Sequence, residues 1–222
     1  MFDPSSKSRL TAHDLGRFPG DTLFDRVARA VCHAGCLPRK ELFEAWEVAR
    51  RVRRRFRGGR VLDLCAGHGL LGQLMLLLDD SSAEVQLVDP NLPPSAAGIH
   101  RALLDTWPRL EGRVHQRQRS ISDTEVDSGD VVVSVHACGS LTDQVIATAI
   151  ESRARVAVMP CCHDLDVAET GDLTGWLDGP TAVDVVRASN LRARGWRVWT
   201  QAIPATITPH NRLLMAAPPD QP

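Results

Sequence analysis

Val61-Leu62-Asp63-Leu64-Cys65-Ala66-Gly67-His68-Gly69-Leu70-Leu71-Gly72 decides the fold. A short run of β character enters two glycines and then an apolar stretch, 70–78, of helical length. Glycines at such a junction let the backbone bend sharply and approach a bound nucleotide, while the helix start offers unpaired N–H groups. Asp89 closes the next apolar run, Leu87-Val88-Asp89-Pro90, 20 residues after Gly69. A carboxylate at that strand end is placed to accept the two ribose hydroxyls of an adenosine ligand. A glycine-rich turn that binds nothing is the plain alternative.

Outward from this turn the chain alternates β-like runs with helical stretches, the order of a parallel sheet covered on both faces. Strands are expected at 60–65, 84–88, 113–118, 130–135, 155–159, 196–203 and 212–216, and helices at 70–78, 95–106, 141–152 and 181–194. Only residues 204–211 separate the last two strands, which predicts an antiparallel hairpin closing one edge. Ahead of the turn, Leu23, Phe24, Val27, Ala28 and Val31 fall at helical spacing over 21–31, behind an N-cap at Asp21 or Thr22. A second helix over 39–56 carries a stripe of Leu42, Phe43, Trp46, Ala49, Val52 and Phe56. Arg50, Arg51, Arg53, Arg54, Arg55 and Arg57 crowd its other faces until Gly58-Gly59 stops it. The expected organisation is an N-terminal helical extension, residues 1–57, and an α/β unit, residues 58–222.

With 222 residues, 43% of them hydrophobic, the chain buries about 70% of its unfolded surface without disulfides or metal, which excludes disordered and fibrous classes. The net charge of −1 hides an asymmetry: residues 1–60 carry 14 Lys and Arg against 7 acids, and the remainder 12 against 20. No apolar stretch approaches the roughly 20 residues that span a bilayer. The N-terminal stretch lacks the apolar centre of a secretory signal, so a cytoplasmic location with its six cysteines reduced is expected.

The run Gly67-His68-Gly69-Leu70-Leu71-Gly72 also satisfies G-x-G-x-x-G, which alone is a weak sign and leaves a dinucleotide open. Asp63, four residues before Gly67, favours S-adenosylmethionine, because a carboxylate there can face the ligand's amino group. Two further strand ends carry unusual polar groups, Val133-Ser134-Val135-His136-Ala137-Cys138-Gly139 and Val156-Ala157-Val158-Met159-Pro160-Cys161-Cys162-His163-Asp164. In a parallel sheet such ends face the ligand crevice.

Together, D-x-C-A-G-x-G, H-A-C-G-x-x-T-D (136–143), P-C-C-H (160–163) and I-T-P-x-N-R-L-L (207–214) resemble a branch of the class I S-adenosylmethionine-dependent methyltransferases. That branch includes the acceptor-stem tRNA 2′-O-methyltransferases and the methyltransferase domain of a glutathione S-transferase C-terminal-domain-containing protein. The resemblance covers 58–218, with the motifs in the family's order. It implies a Rossmann-like α/β fold with a seven-stranded, mostly parallel sheet and an antiparallel C-terminal hairpin. It implies S-adenosylmethionine held by Asp63, Cys65, Ala66, Gly67, Gly69, Asp89, Pro90 and His136. It further implies a methyl-transfer pocket lined by His136, Cys138, Cys161 and His163. The tRNA enzymes carry Cys/His-rich zinc segments ahead of the catalytic domain, and here only Cys32-His33-Ala34-Gly35-Cys36 stands there, so substrate identity does not carry over.

Methyl transfer to a hydroxyl gains from a general base, and His136 and His163 are the candidates, unless either only bonds loop backbone. Cys161 with Cys138 could instead add to a pyrimidine and activate its C5. Neither N-P-P-Y nor D-P-P-Y follows the fourth strand, which disfavours an amino acceptor. Zinc on His136, Cys138, Cys161, Cys162 and His163 is chemically suitable. Adjacent cysteines rarely share one tetrahedral ion, however, and no metal is expected. Cys32 and Cys36, at i, i+4 spacing, are expected to be core-facing thiols. Arg50, Arg51, Arg54 and Arg55 can neutralise RNA phosphates beside the pocket, or form a solvated face. The expected reaction is methylation of an oxygen or nitrogen on RNA, tRNA or rRNA. A small-molecule or protein acceptor, a non-catalytic nucleotide-binding module and an NAD-dependent dehydrogenase are the alternatives.

Overall fold

Seven short runs form strands, the central ones rich in valine: β1 (Val61–Leu64), β2 (Val85–Val88), β3 (Val114–Arg117), β4 (Val131–Ser134), β5 (Arg155–Val158), β6 (Arg197–Ala202) and β7 (Arg212–Ala217). A computed structural model describes residues 2–219; Met1 and the last three residues of the 58–222 unit lie outside them. The strands make one sheet in the order β3-β2-β1-β4-β5-β7-β6. The first five run parallel, with Val61 opposite both Val85 and Val131. β7 runs against its neighbours, Met215 lying opposite Ala157 on one side and Trp199 on the other. The expected hairpin is present, with its second strand turned inward and β6 left as the edge.

Side chains alternate across the strands and feed two apolar layers. Val61, Val85, Leu87, Val131, Val133 and Met215 pack on one face, beneath α1 (Leu23–Ala34), α2 (Arg39–Arg55), α3 (Leu70–Leu78) and α4 (Pro94–Thr106). Leu62, Leu64, Val132, Val156 and Val158 pack on the other, beneath α5 (Ser140–Ser152) and α6 (Gly179–Ala193). Short 3-10 turns at Ala12–Arg17, Pro108–Leu110 and Leu173–Gly175 complete the chain; none is long enough for periodicity to reveal.

α1 begins where Thr22 accepts the Asp25 N–H and ends at Gly35 in the left-handed region. It runs a turn beyond the expected 31. Cys36 lies past that cap, so the helical spacing to Cys32 does not hold. Cys32 is buried, and Cys36 is half-buried with its Sγ 3.8 Å from Ser95 O.

α2 departs further from expectation. Its buried side is Leu42, Glu44, Ala45, Val48, Ala49, Val52 and Arg53, while Phe43 and Trp46 pack at the rim, each 5.2 Å from the Phe24 ring. Arg53 is therefore not one of the outward arginines: it is only 2% exposed. Its guanidinium donates to Met75 O at 2.9 Å, Phe56 O at 3.3 Å and Ser82 Oγ at 2.7 Å, and it lies 3.3 Å from Asp79. Arg60 likewise spans to Asp130 at 2.6 Å and Asp127 at 3.1 Å. The basic N-terminal part is thus partly consumed by acids of the α/β unit.

Removing one member of a buried ion pair strands the other. Arg53→Met should cost about 3 kcal/mol in urea unfolding, while exposed Arg54→Ala should stay within about 0.5 kcal/mol of wild type. Equal midpoints for the two variants would overturn this account of α2.

Candidate functional site

The chain leaves β1 through three left-handed residues in five: Cys65 at φ 59°, Gly67 at 51° and Gly69 at 71°. A Cβ on Gly69 would stand 2.5 Å from Leu87 Cδ1, so only glycine fits there, whereas Gly67 faces open space. Side chains from the strand ends hold the turn. Asp89 accepts the Gly67 N–H at 3.0 Å and the Asn91 N–H at 2.8 Å, and Asp63 accepts the Gly72 N–H at 2.8 Å.

A cavity of about 240 Å³ opens above this turn. Its floor is Asp63, Cys65 to Leu71, Val135 and His136, and its roof is Leu37 with Glu41 and Ala45 of α2. Asp89 reaches it only through Gly67, and Pro90 stands behind the turn, outside the lining. No lysine or arginine lines the cavity. Burial raises Asp63 to about 8, raises Glu41, and pushes the Cys65 thiol up to about 11. His68 is lowered by burial, its Nδ1 lying 2.8 Å from Ser95 Oγ. Glu44 is 2% exposed. Its Oε1 meets Lys40 Nζ at 2.8 Å, while its Oε2 has no hydrogen-bond partner and lies 4.0 Å from His136 Nε2.

The four residues read as a methyl-transfer pocket separate into three places. His136 lines the cavity. Cys138 and Cys161 face one another with Sγ atoms 3.3 Å apart, and burial pushes the Cys161 thiol upward, away from a resting thiolate. The His163 imidazole is 2% exposed, its Nε2 2.8 Å from Asp184 Oδ1. Asp184 also takes Arg187 at 3.1 Å and Arg212 at 2.7 Å, and Arg187 meets Asp143 at 2.7 Å. Polar residues of three sequence motifs, Asp143, His163 and Arg212, thus interlock through α6.

None of the arginines of α2 lines the cavity. α2 runs from the cavity at Glu41 and Ala45 toward the start of β1, and the ten residues from Ala45 put Arg55 about 15 Å farther along the helix. Arg50 and Arg51 both pair with Glu47. Arg54 and Arg55 are exposed, the Arg55 guanidinium lying 4.5 Å from the Trp199 ring centre. A larger groove of about 400 Å³ lies between α6 and the β6–β7 hairpin and shares no residue with the glycine-turn cavity.

Sequence reasoning missed Leu37, Glu41, Glu44 and Ala45. The one readable sign was Lys40 and Glu44 at i, i+4, and such pairs usually face solvent.

Strand order, reversed β7 and a glycine turn at the carboxyl end of β1 together define a class I methyltransferase. The chain belongs to the methyltransferase domain family, whose match covers residues 41–169 and begins within α2. Solved structures share the fold. An O-methyltransferase family protein from Burkholderia thailandensis is 21% identical with TM-score 0.53, the alignment covering 92% of this chain and 62% of that one. A rRNA methylase from Streptococcus thermophilus is 12% identical with TM-score 0.51, covering 77% and 93%. A protein of the NADB-Rossmann superfamily from Streptococcus agalactiae is 13% identical with TM-score 0.51, covering 78% and 68%. The chain therefore spans less than two thirds of the Burkholderia protein. No curated protein matches it. Among the described residues no helix is long and apolar enough to cross a membrane.

Asp63 binds its proton more tightly folded than unfolded, its pKa rising from 3.8 to about 8. It therefore subtracts stability as pH rises through that interval, and the loss is complete above it. Asp63→Asn can still accept the Gly72 N–H and escapes the loss. Its stability relative to wild type should grow between about pH 5 and about pH 8 in urea unfolding; a difference independent of pH would mean that Asp63 is ionised throughout.

Proposed function

We propose that the cavity beneath α2 holds S-adenosylmethionine and that the acceptor is a hydroxyl oxygen of an RNA. The observation that carries the cofactor reading is the charge of the lining: Asp63 and Glu41 at the wall, Glu44 behind it, and no cationic side chain. S-adenosylmethionine brings a sulfonium and an ammonium to such a wall, whereas a dinucleotide brings a pyrophosphate that it repels. The orphaned Glu44 Oε2 fits the same ligand, since a buried acceptor without a partner is costly until a donor or cation arrives.

When bound, S-adenosylmethionine supplies an electrophilic methyl group on its sulfonium. Asp89 retains lone pairs on both oxygens for the ribose hydroxyls after capping Gly67 and Asn91. Cys65, Ala66, Gly67 and Gly69 shape the floor, the open face of Gly67 leaving room for close approach, with Pro90 behind Asp89. Asp63 and Glu41 receive the cationic end. His136 stands at the wall to take the acceptor's proton, and Glu44, 4.0 Å away, gives the resulting imidazolium a counter-ion. His163, engaged by Asp184, holds the loop instead. Holding acceptor and methyl in line is the remaining task of the site.

RNA is favoured by the four motifs shared in order with the tRNA 2′-O-methyltransferase branch. Arg54 and Arg55 are exposed, Arg55 against Trp199, and stand about 15 Å along the helix from Ala45 at the cavity. They suit a substrate large enough to bridge that distance.

Asp89→Ala should weaken S-adenosylmethionine by about 100-fold in calorimetry, the worth of two charge-assisted hydrogen bonds, while the thermal transition persists. Unchanged affinity would place the cofactor elsewhere. For the acceptor, tritiated methyl is transferred from the cofactor to an extract of a strain lacking this gene. Label should be lost to RNase; label that yields only to protease, or that passes a size filter, would replace RNA with a protein or a small molecule.

A further inference from the structure

We propose that Cys138, Cys161 and Cys162 form a zinc site at the carboxyl ends of β4 and β5. The inference is independent of what the chain methylates. The left-handed Gly139 donates its N–H to Cys162 O at 3.3 Å, tying the loop after β4 to the loop after β5. That tie sets Cys138 Sγ 3.3 Å from Cys161 Sγ and 3.7 Å from Cys162 Sγ, with all three sulfur atoms within 4.8 Å of one another.

Thiols are weak donors and weak acceptors, so three of them gain little by facing each other. A tetrahedral zinc ion rewards the same arrangement: Zn–S bonds of about 2.3 Å hold sulfur atoms about 3.8 Å apart. The two separations from Cys138 fall short of that value by about 0.5 and about 0.1 Å, so small side-chain shifts suffice. All three cysteines are free thiols. Adjacent cysteines diverge in a helix or strand, but residues 159–164 form no regular element, and their side chains can converge on one point. Cys138 and Cys162 are exposed, which leaves the fourth position to solvent. Zinc binding deprotonates the thiols and releases their protons to water. The bound ion would pin the segment that carries His136 to the segment that carries His163.

The test uses the full chain, reduced and stripped of metal with a chelator, without cofactor or RNA. It is titrated with Zn²⁺ against a chromophoric chelator and, separately, with Co²⁺, which reports thiolate ligands through a near-ultraviolet charge-transfer band. One equivalent should bind and the band should appear. Cys138→Ser and Cys162→Ser, both at exposed positions, should each lose the band and weaken zinc by at least about 100-fold, the upper end of what loss of an outer-shell partner alone costs. Cys36→Ser, outside the cluster, should bind as wild type does. Absence of binding by the reduced wild-type chain would overturn the site. So would binding that survives both serine variants.

Discussion

The hydrogen bond from the Gly67 N–H to the Asp89 carboxylate, 3.0 Å long, ties the glycine turn after β1 to the end of β2. Of three left-handed residues within five, two are glycines that take the conformation freely, and only Cys65 carries backbone strain. Such a turn persists only if its surroundings over-determine it. Asp89 clamps it from the end of β2, and Asp63 clamps the start of α3 from within β1. Parallel pairing of Asp63 with Leu87 brings the two carboxylates to the same end of the sheet. Strand order, turn and ligand cavity are consequently one constraint expressed three times.

α2 extends that constraint across the molecule. At one end Arg53 is enclosed by Met75 O, Ser82 and Asp79, and at the other Glu41 and Ala45 roof the cavity with Glu44 behind them. A helix held so firmly at its far end gives the acidic roof a fixed height above the glycine turn. The charge that the first sixty residues carry is spent mainly on this bracing. Arg53 and Arg60 meet Asp79, Asp127 and Asp130, and Arg50 and Arg51 meet Glu47 on their own helix. Arg57 also meets Asp79, at 3.6 Å, so of the arginines at the end of α2 only Arg54 and Arg55 remain for a partner.

The parts that were legible in the sequence are those governed by local rules. Short apolar runs between helical stretches located the seven strands to within about two residues, and the shortness of 204–211 announced the hairpin. The glycine turn and Asp89 were legible because their spacing is set by one strand–helix–strand unit. The roof of the cavity was not, because a glutamate on an amphipathic helix reads as solvent-facing. Only the packing of α2 against α3 reveals that Glu44 and Arg53 lie inward. His163 was equally opaque: its partner Asp184 lies 21 residues away on α6, and no local pattern links them. The three sulfur atoms meet through a loop-to-loop hydrogen bond that spacing does not encode.

The acidic wall also bears on the direction of turnover. Without a cation present, burial raises Asp63 well above the usual carboxylate range and Glu44 keeps an oxygen without a partner, so ionised carboxylates at this cavity are costly on their own. A sulfonium and an ammonium relieve both costs, Coulomb attraction being strong where water is scarce. Under the proposed reading, methyl transfer converts the sulfonium into a neutral thioether and removes the sulfonium's share of that relief. On the same reading, the residues that select the charged cofactor hold its demethylated product less tightly. The same carboxyl groups that make the site expensive to build would therefore help to empty it.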